Sequence, residues 1–127
     1  PSTVYISPSE KHMEGNGRGG VSFIDRHPKD IYRPSCDVLL SSVAQSYGAK
    51  GIGVILTGMG SDGAIGMKKI KEAGGFTVAQ DEATSVVFGM PKVAIDNGAI
   101  DRVLPLSEIG GEIIRRIERN AGAVGRR

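Results

Sequence analysis

The chain has 127 residues, 39% of them hydrophobic, a formal net charge of +2 and a single cysteine. That length supports one domain with a core of ordinary size, while a lone cysteine excludes an intramolecular disulfide and suits a reducing compartment. Much of the basic excess sits at one end, in Arg115, Arg116, Arg119, Arg126 and Arg127; with three Tyr, three Phe and no Trp, a basic stripe with stacking aromatics is excluded, and no apolar run nears the roughly 20 residues of a membrane helix.

A soluble, cytoplasmic protein with no nucleic-acid partner and no membrane insertion is therefore expected. In chain order, Thr3-Val4-Tyr5-Ile6-Ser7 is a β-branched and aromatic run closed by Pro8, which predicts a strand entering a loop. His12 follows, and a lone histidine of this kind reads as a hydrogen-bonding or surface group, or as support for a nearby site. Four glycines with Asn16 and Arg18 between residues 14 and 20 predict a hairpin loop, so that His12-Met13 and Val21 to Ile24 pair as an antiparallel ribbon on the rim of a sheet. Residues 27–34 form a proline-marked crossing in which His27 is a surface loop residue.

A helix opens at Pro34-Ser35-Cys36-Asp37, with Ser35 as its cap and Asp37 complementing the dipole; Val38, Leu39, Ser42, Val43 and Tyr47 make its apolar side and Gly48 stops it. Ser35 reads as a cap rather than a nucleophile because no G-x-S-x-G elbow surrounds it. Cys36 reads as a small core residue.

The centre of the chain runs from Gly51 to Gly66. Val54, Ile55 and Leu56 form an unbroken apolar run, the pattern of a strand covered on both faces of a parallel sheet. Glycines at 58, 60, 63 and 66 then break the chain, and Ala64, Met67, Ile70 and Ala73 give one apolar helical stripe. Strand, glycine turn and helix put Asp62 in the crevice at the carboxyl end of the sheet, where open α/β folds bind ligands.

Three uses of that turn are open. Gly58, Gly60 and Gly63 match a G-x-G-x-x-G phosphate cradle, although Asp62 would set a negative charge where the anion sits. Asp62 could instead cap its own helix; Asn would serve nearly as well, so Asp62→Asn would then change stability by only ~0.5 kcal/mol. Or Asp62 orients a histidine, with neighbouring backbone N–H groups free for a developing oxyanion.

Phe76 to Ala79 is the next buried strand, closing a parallel, right-handed βαβ unit with a helix over 62–73. The polar stretch from Gln80 to Thr84 therefore falls on the same sheet edge as Asp62. Pro91 opens a further helix ended by Gly98, with Phe88 and Met90 packed inward. Residues 99–105 make an edge strand ended by Pro105. Ser107 then caps an amphipathic helix with Ile109, Ile113, Ile114 and Ile117 inward and Arg115, Arg116, Glu118 and Arg119 outward, and residues 121–127 read as a frayed tail. The whole is an α/β fold: a mainly parallel, Rossmann-like three-layer arrangement with a β-hairpin on its rim.

Thr57-Gly58-Met59-Gly60-Ser61-Asp62-Gly63-Ala64, Val78-Ala79-Gln80-Asp81-Glu82-Ala83 and Val86-Val87-Phe88-Gly89-Met90-Pro91, with Val4-Tyr5-Ile6-Ser7-Pro8, Lys11-His12-Met13 and Arg33-Pro34-Ser35-Cys36-Asp37-Val38-Leu39 upstream, resemble the catalytic domain of the protein-glutamate methylesterase of bacterial chemotaxis, the CheB family. Several motifs in the family's order, from about Val4 to Ile114, are more specific than any one of them. The resemblance implies a carboxylic-ester hydrolase with a Ser-His-Asp triad that acts on glutamate methyl esters of chemoreceptors and deamidates glutamine. It puts the triad aspartate on Asp62 and part of the oxyanion hole on the backbone N–H of Met59. The partners it implies are the cytoplasmic helices of methylated chemoreceptors and a receiver domain upstream; no cofactor and no metal is expected.

The family's serine lies in a Ser-Thr-Gly-Gly turn and its histidine in a Gln-His-Met-Pro segment, and neither occurs in this sequence. Residues 1–127 are thus expected to be part of a single methylesterase catalytic domain, supplying the aspartate and inactive alone. The alternative is a noncatalytic α/β binding or interaction module that keeps the scaffold.

Overall fold

The computed structural model describes residues 3–9, 11–25 and 35–125; the expectations for His27 and the 27–34 crossing lie outside them. In chain order the elements are β1 (Lys11–Gly15), β2 (Val21–Asp25), α1 (Cys36–Tyr47), a short 3-10 turn (Gly48–Lys50), β3 (Ile52–Ile55), α2 (Ala64–Glu72), β4 (Phe76–Gln80), α3 (Met90–Asp96), β5 (Arg102–Leu104) and α4 (Leu106–Gly125). Strands β3, β4 and β5 form a parallel sheet in that order, with Val54 beside Val78 and Val78 beside Arg102. Each parallel step needs a crossover, and α2 and α3 supply them.

The core lies on both faces of β4, which is buried along its whole length. On one face Ile55 and Ala79 pack with Ala64 and Met67 of α2 and Ala94 of α3, and Leu40 of α1 leans on them. On the other, Phe76, Val78 and Leu104 pack with Ile109 and Ile113 of α4. Alternation along each strand sorts residues between these layers, so both faces of the sheet are covered by helices, as a parallel sheet requires. β1 and β2 form a separate antiparallel ribbon, with Met13 opposite Phe23. It is tied to α1: the Ser42 hydroxyl accepts the Gly15 N–H at 2.9 Å, and the Ser46 hydroxyl donates to the Gly15 carbonyl at 3.2 Å. The hairpin loop is closed by the Asn16 side-chain oxygen, which accepts the N–H groups of Arg18 and Gly20.

α1 and α2 come together at Gly66. A Cβ there would lie 2.6 Å from the Leu40 Cβ and 3.2 Å from the Asp37 carbonyl oxygen. Neither neighbour is the end of a flexible side chain, so the helices would have to separate. Gly66→Ala is expected to destabilise the fold by about 3 kcal/mol, read as a lower urea midpoint with an unchanged slope. A loss below about 0.5 kcal/mol would contradict this close packing.

Four expectations need correction. Residues 3–7 form no strand: Val4 and Ile6 are almost fully exposed, because a β-prone run becomes a strand only beside another strand, and no strand of the described residues pairs with it. Ile114 and Ile117 face outward, 59% and 54% exposed, while Arg116 lies inward with its guanidinium over the Phe76 ring, 4.8 Å from the centroid. α4 has 20 residues and β5 three, so a helix of about 30 Å runs past the sheet that covers its first half. Ser107 sits within α4 rather than before it, and the backbone stays helical to Gly125.

Candidate active site

The site is built where α1 and α2 begin, beside the carboxyl ends of β3 and β4. A helix start leaves backbone N–H groups without partners, and each of these two helices receives its acceptor from the other. Asp62, 5% exposed, accepts the Ser35 hydroxyl on Oδ1 at 2.9 Å, the Asp37 N–H on Oδ1 at 3.1 Å and the Cys36 N–H on Oδ2 at 2.7 Å. Asp37 Oδ1 in turn accepts the N–H groups of Gly63 at 3.1 Å and Gly66 at 2.8 Å. Asp62 therefore caps α1 and Asp37 caps α2. Each carboxylate lies at the N-terminal, positive end of the other's helix dipole.

This arrangement overturns two local assignments. Ser35 occupies the cap position of α1, where its carbonyl accepts the Leu39 N–H, but its side chain does not cap that helix, since its hydroxyl is turned to Asp62. Asp62 does not cap its own helix: Gly63 holds that position with φ 100°, where glycine is favoured. The phosphate cradle also weakens further, because the Gly63 N–H that an anion would take already donates to Asp37.

The turn after β3 is fastened to the loop after β4. The Thr57 hydroxyl donates to the Val87 carbonyl at 3.0 Å and accepts the Val87 N–H at 2.8 Å, while the Gly58 N–H donates to that same carbonyl at 2.9 Å. The Gly58 carbonyl accepts the N–H groups of Gly89 at 3.1 Å and Met90 at 2.8 Å. The peptide that follows is planar and trans, so clamping the Gly58 oxygen aims the Met59 N–H away from residues 89 and 90. Among the described residues that N–H donates to nothing, and the Met59 side chain is 81% exposed. Gly89 is required by this contact, since a Cβ there would lie 2.7 Å from the Gly58 oxygen.

His12 is buried in β1, and its Nδ1 accepts the Ser35 N–H at 3.1 Å. A nitrogen that accepts there cannot donate to Asp62 from the same atom, so His12 acts here as a hydrogen-bonding group. A cleft of about 300 Å³ lies along β3, lined by Cys36, Leu39, Leu40, Leu56, Thr57 and Met90. Cys36 borders this cleft and keeps an exposed edge, which corrects its reading as a core residue. Desolvation by the surrounding protein, then the Asp62 carboxylate, push its thiol from 9.0 up to about 11. It is a poor nucleophile on that account: alkylation near pH 8 is expected to be about tenfold slower than in the urea-unfolded chain, the smaller thiolate fraction outweighing the higher reactivity of each thiolate, and equal rates would contradict the geometry. The folded thiol holds its proton to higher pH than the unfolded one, so this group lowers stability as pH rises from 9.0 toward about 11.

Sequence reasoning missed the exchange of caps. The available signal for it was an aspartate at the start of each of two successive helices. Among the described residues no group of three or more His, Cys, Asp or Glu side chains could hold a metal, and no helix is long and apolar enough to cross a membrane.

Residues 1–113 match the family model for CheB methylesterase. The chain is 49% identical over 121 residues to protein-glutamate methylesterase/protein-glutamine glutaminase 3 of Paramagnetospirillum magneticum, covering 95% of this chain and 34% of that protein. It is 50% identical over 118 residues to the protein-glutamate methylesterase FrzG of Myxococcus xanthus, covering 93% and 35%. The structure resembles the Thermotoga maritima CheB methylesterase catalytic domain with a TM-score of 0.79 at 42% identity, over 87% of this chain and 60% of that one. The chain thus spans about a third of the length of these curated relatives.

Proposed function

Because the chain belongs to the CheB methylesterase family, we propose that it is part of a catalytic domain that hydrolyses glutamate methyl esters on chemoreceptors and deamidates glutamine there. In this reading Asp62 is the aspartate of a Ser-His-Asp triad whose serine and histidine lie outside these residues, and the Met59 N–H is an oxyanion donor. The observation that carries it is the state of the Asp62 carboxylate. A carboxylate offers about four acceptor positions, and three donors hold this one in place. Only one of those three is on Oδ2, which leaves a position on that oxygen for an imidazole Nδ1–H.

The roles then follow from the chemistry. The histidine takes the serine proton as the hydroxyl attacks the ester carbonyl. Asp62, immobilised by the α1 N-terminus, keeps that histidine in the tautomer that can accept it and stabilises the imidazolium formed. The Met59 N–H, fixed by the Gly58 clamp, donates to the oxyanion of the tetrahedral intermediate. Expulsion of methanol, or of ammonia from a glutamine side chain, leaves an acyl-enzyme that water hydrolyses. The substrate is proposed to be presented on the cytoplasmic helices of methylated receptors, with a receiver domain preceding the catalytic one and the whole acting in the cytoplasm. The test is methanol release from a methylated receptor by the full-length protein before and after Asp62→Asn.

A further inference from the structure

We propose that Gln80 is a positioning residue for the Met59 N–H, an inference that rests on the reading of that N–H as an oxyanion donor. Gln80 ends β4 and is 1% exposed. Val78 and Ala79 beside it are fully buried, and an apolar side chain would serve packing there equally well. An amide in such a place is unfavourable unless its polar atoms are bonded, and both are. Its Oε1 accepts the Thr57 N–H at 2.8 Å; its Nε2 donates to the Thr84 carbonyl at 2.8 Å and to the Thr84 hydroxyl at 3.3 Å.

The amide therefore joins Thr57, in the turn after β3, to the loop after β4. Thr84 is itself anchored, its hydroxyl donating to Asp81 Oδ1 at 2.6 Å and accepting the Leu106 N–H at 3.2 Å. Above Gln80, the hydroxyl of Thr57 and the peptide groups of Gly58 are taken by residues 87, 89 and 90. Every polar group of Thr57 and Gly58 that precedes the Met59 N–H in this turn and is bonded is bonded to the β4 side, and Gln80 is the buried member of that set. Without its oxygen the Thr57 N–H loses a buried acceptor and the turn can rotate toward water. An oxyanion donor acts only within about 2.7–3.1 Å of the oxygen, so a small rotation is felt at the reacting centre.

The test uses the full-length protein and three readouts. Gln80→Met, close in shape and without the acceptor or donor, is expected to lower kcat about 100-fold with KM changed less than about threefold. Gln80→Glu separates positioning from packing. A neutral carboxyl accepts from Thr57 and donates to the Thr84 carbonyl; an ionised one still accepts from Thr57 but sets a negative oxygen against the Thr84 carbonyl oxygen, so the tie between the turn after β3 and the loop after β4 is broken. Its kcat should therefore exceed that of Gln80→Met at the acid end of the range and fall toward it as pH rises, through an ionisation that the native profile lacks. Third, the Met59 amide proton should move downfield when a boronic acid forms its adduct with the active-site serine, and move less in Gln80→Met. Native-like kcat in Gln80→Met, or a Gln80→Glu profile parallel to the native one, overturns the proposal. If the native Met59 proton does not move, the oxyanion reading itself has failed and this inference falls with it. If it moves equally in native protein and Gln80→Met while kcat is kept, only the role of Gln80 is lost. Should Gln80→Met not fold, the Gln80→Glu profile decides alone.

Discussion

Asp62→Asn in the full-length protein is expected to lower kcat by about four orders of magnitude while KM changes by less than about threefold. The amide cannot carry the charge that stabilises an imidazolium, and it presents an N–H where the histidine also presents one, which favours the wrong tautomer. The structure also revises the expected effect on stability. A simple surface cap would have lost little, but Asp62 accepts from Ser35 and Asp37 on one oxygen and from Cys36 on the other. Asn keeps one oxygen, so its NH2 must face at least one of these buried donors, and a loss of about 1–3 kcal/mol is expected. The two effects separate on measurement: kcat is compared where near-UV circular dichroism shows both proteins fully folded. An Asp62→Asn protein that folds and retains nearly native kcat would show that the carboxylate is a cap of α1 and nothing more.

The 127-residue chain alone is expected to release methanol from a glutamyl methyl ester at close to the uncatalysed rate. A nucleophilic serine needs a base to take its proton as it attacks. Ser35, whose hydroxyl touches the proposed catalytic carboxylate, donates that proton to Asp62 at 2.9 Å, and His12 accepts from the Ser35 backbone N–H rather than from its hydroxyl. His12 thus bonds the backbone of Ser35 while Asp62 holds its hydroxyl, so the histidine is not placed to take the hydroxyl proton and Asp62 is not placed to stabilise an imidazolium formed that way. Oriented N–H donors without a nucleophile leave only weak effects. Turnover comparable to that of a complete serine esterase, blocked by a serine-directed reagent and abolished by Ser35→Ala, would overturn the assignment; if Ser61→Ala abolished it instead, the same conclusion would follow for that residue.

Much of the fold was legible because the signals were local and periodic. The apolar run before Leu56, the helical stripe of Ala64, Met67 and Ile70, and the run from Phe76 to Ala79 became β3, α2 and β4 within two residues of their expected ends. The outward turn of Ile117 was not legible in the same way. Helical spacing puts that residue close to the line of Ile109 and Ile113, and only the length of the sheet beneath α4 decides whether anything is there to cover it.

By itself the sequence determined the order of the strands and helices, their layered parallel arrangement and the location of Asp62 at the carboxyl edge of the sheet, since these depend on side-chain periodicity and on glycines within a few residues of each other. Only the tertiary structure decided what Asp62, Asp37 and Gln80 bond to. An aspartate near a helix start has the same local pattern whether it caps its own helix or another. The choice was made by Gly66, whose missing Cβ lets α1 and α2 approach until Asp62 reaches Cys36, 26 positions away in the chain, and Asp37 reaches Gly63 across the same separation. Gln80 likewise ends its strand with an amide that no periodicity explains, because its partner Thr57 lies 23 positions earlier and comes within 2.8 Å only when β3 and β4 are paired.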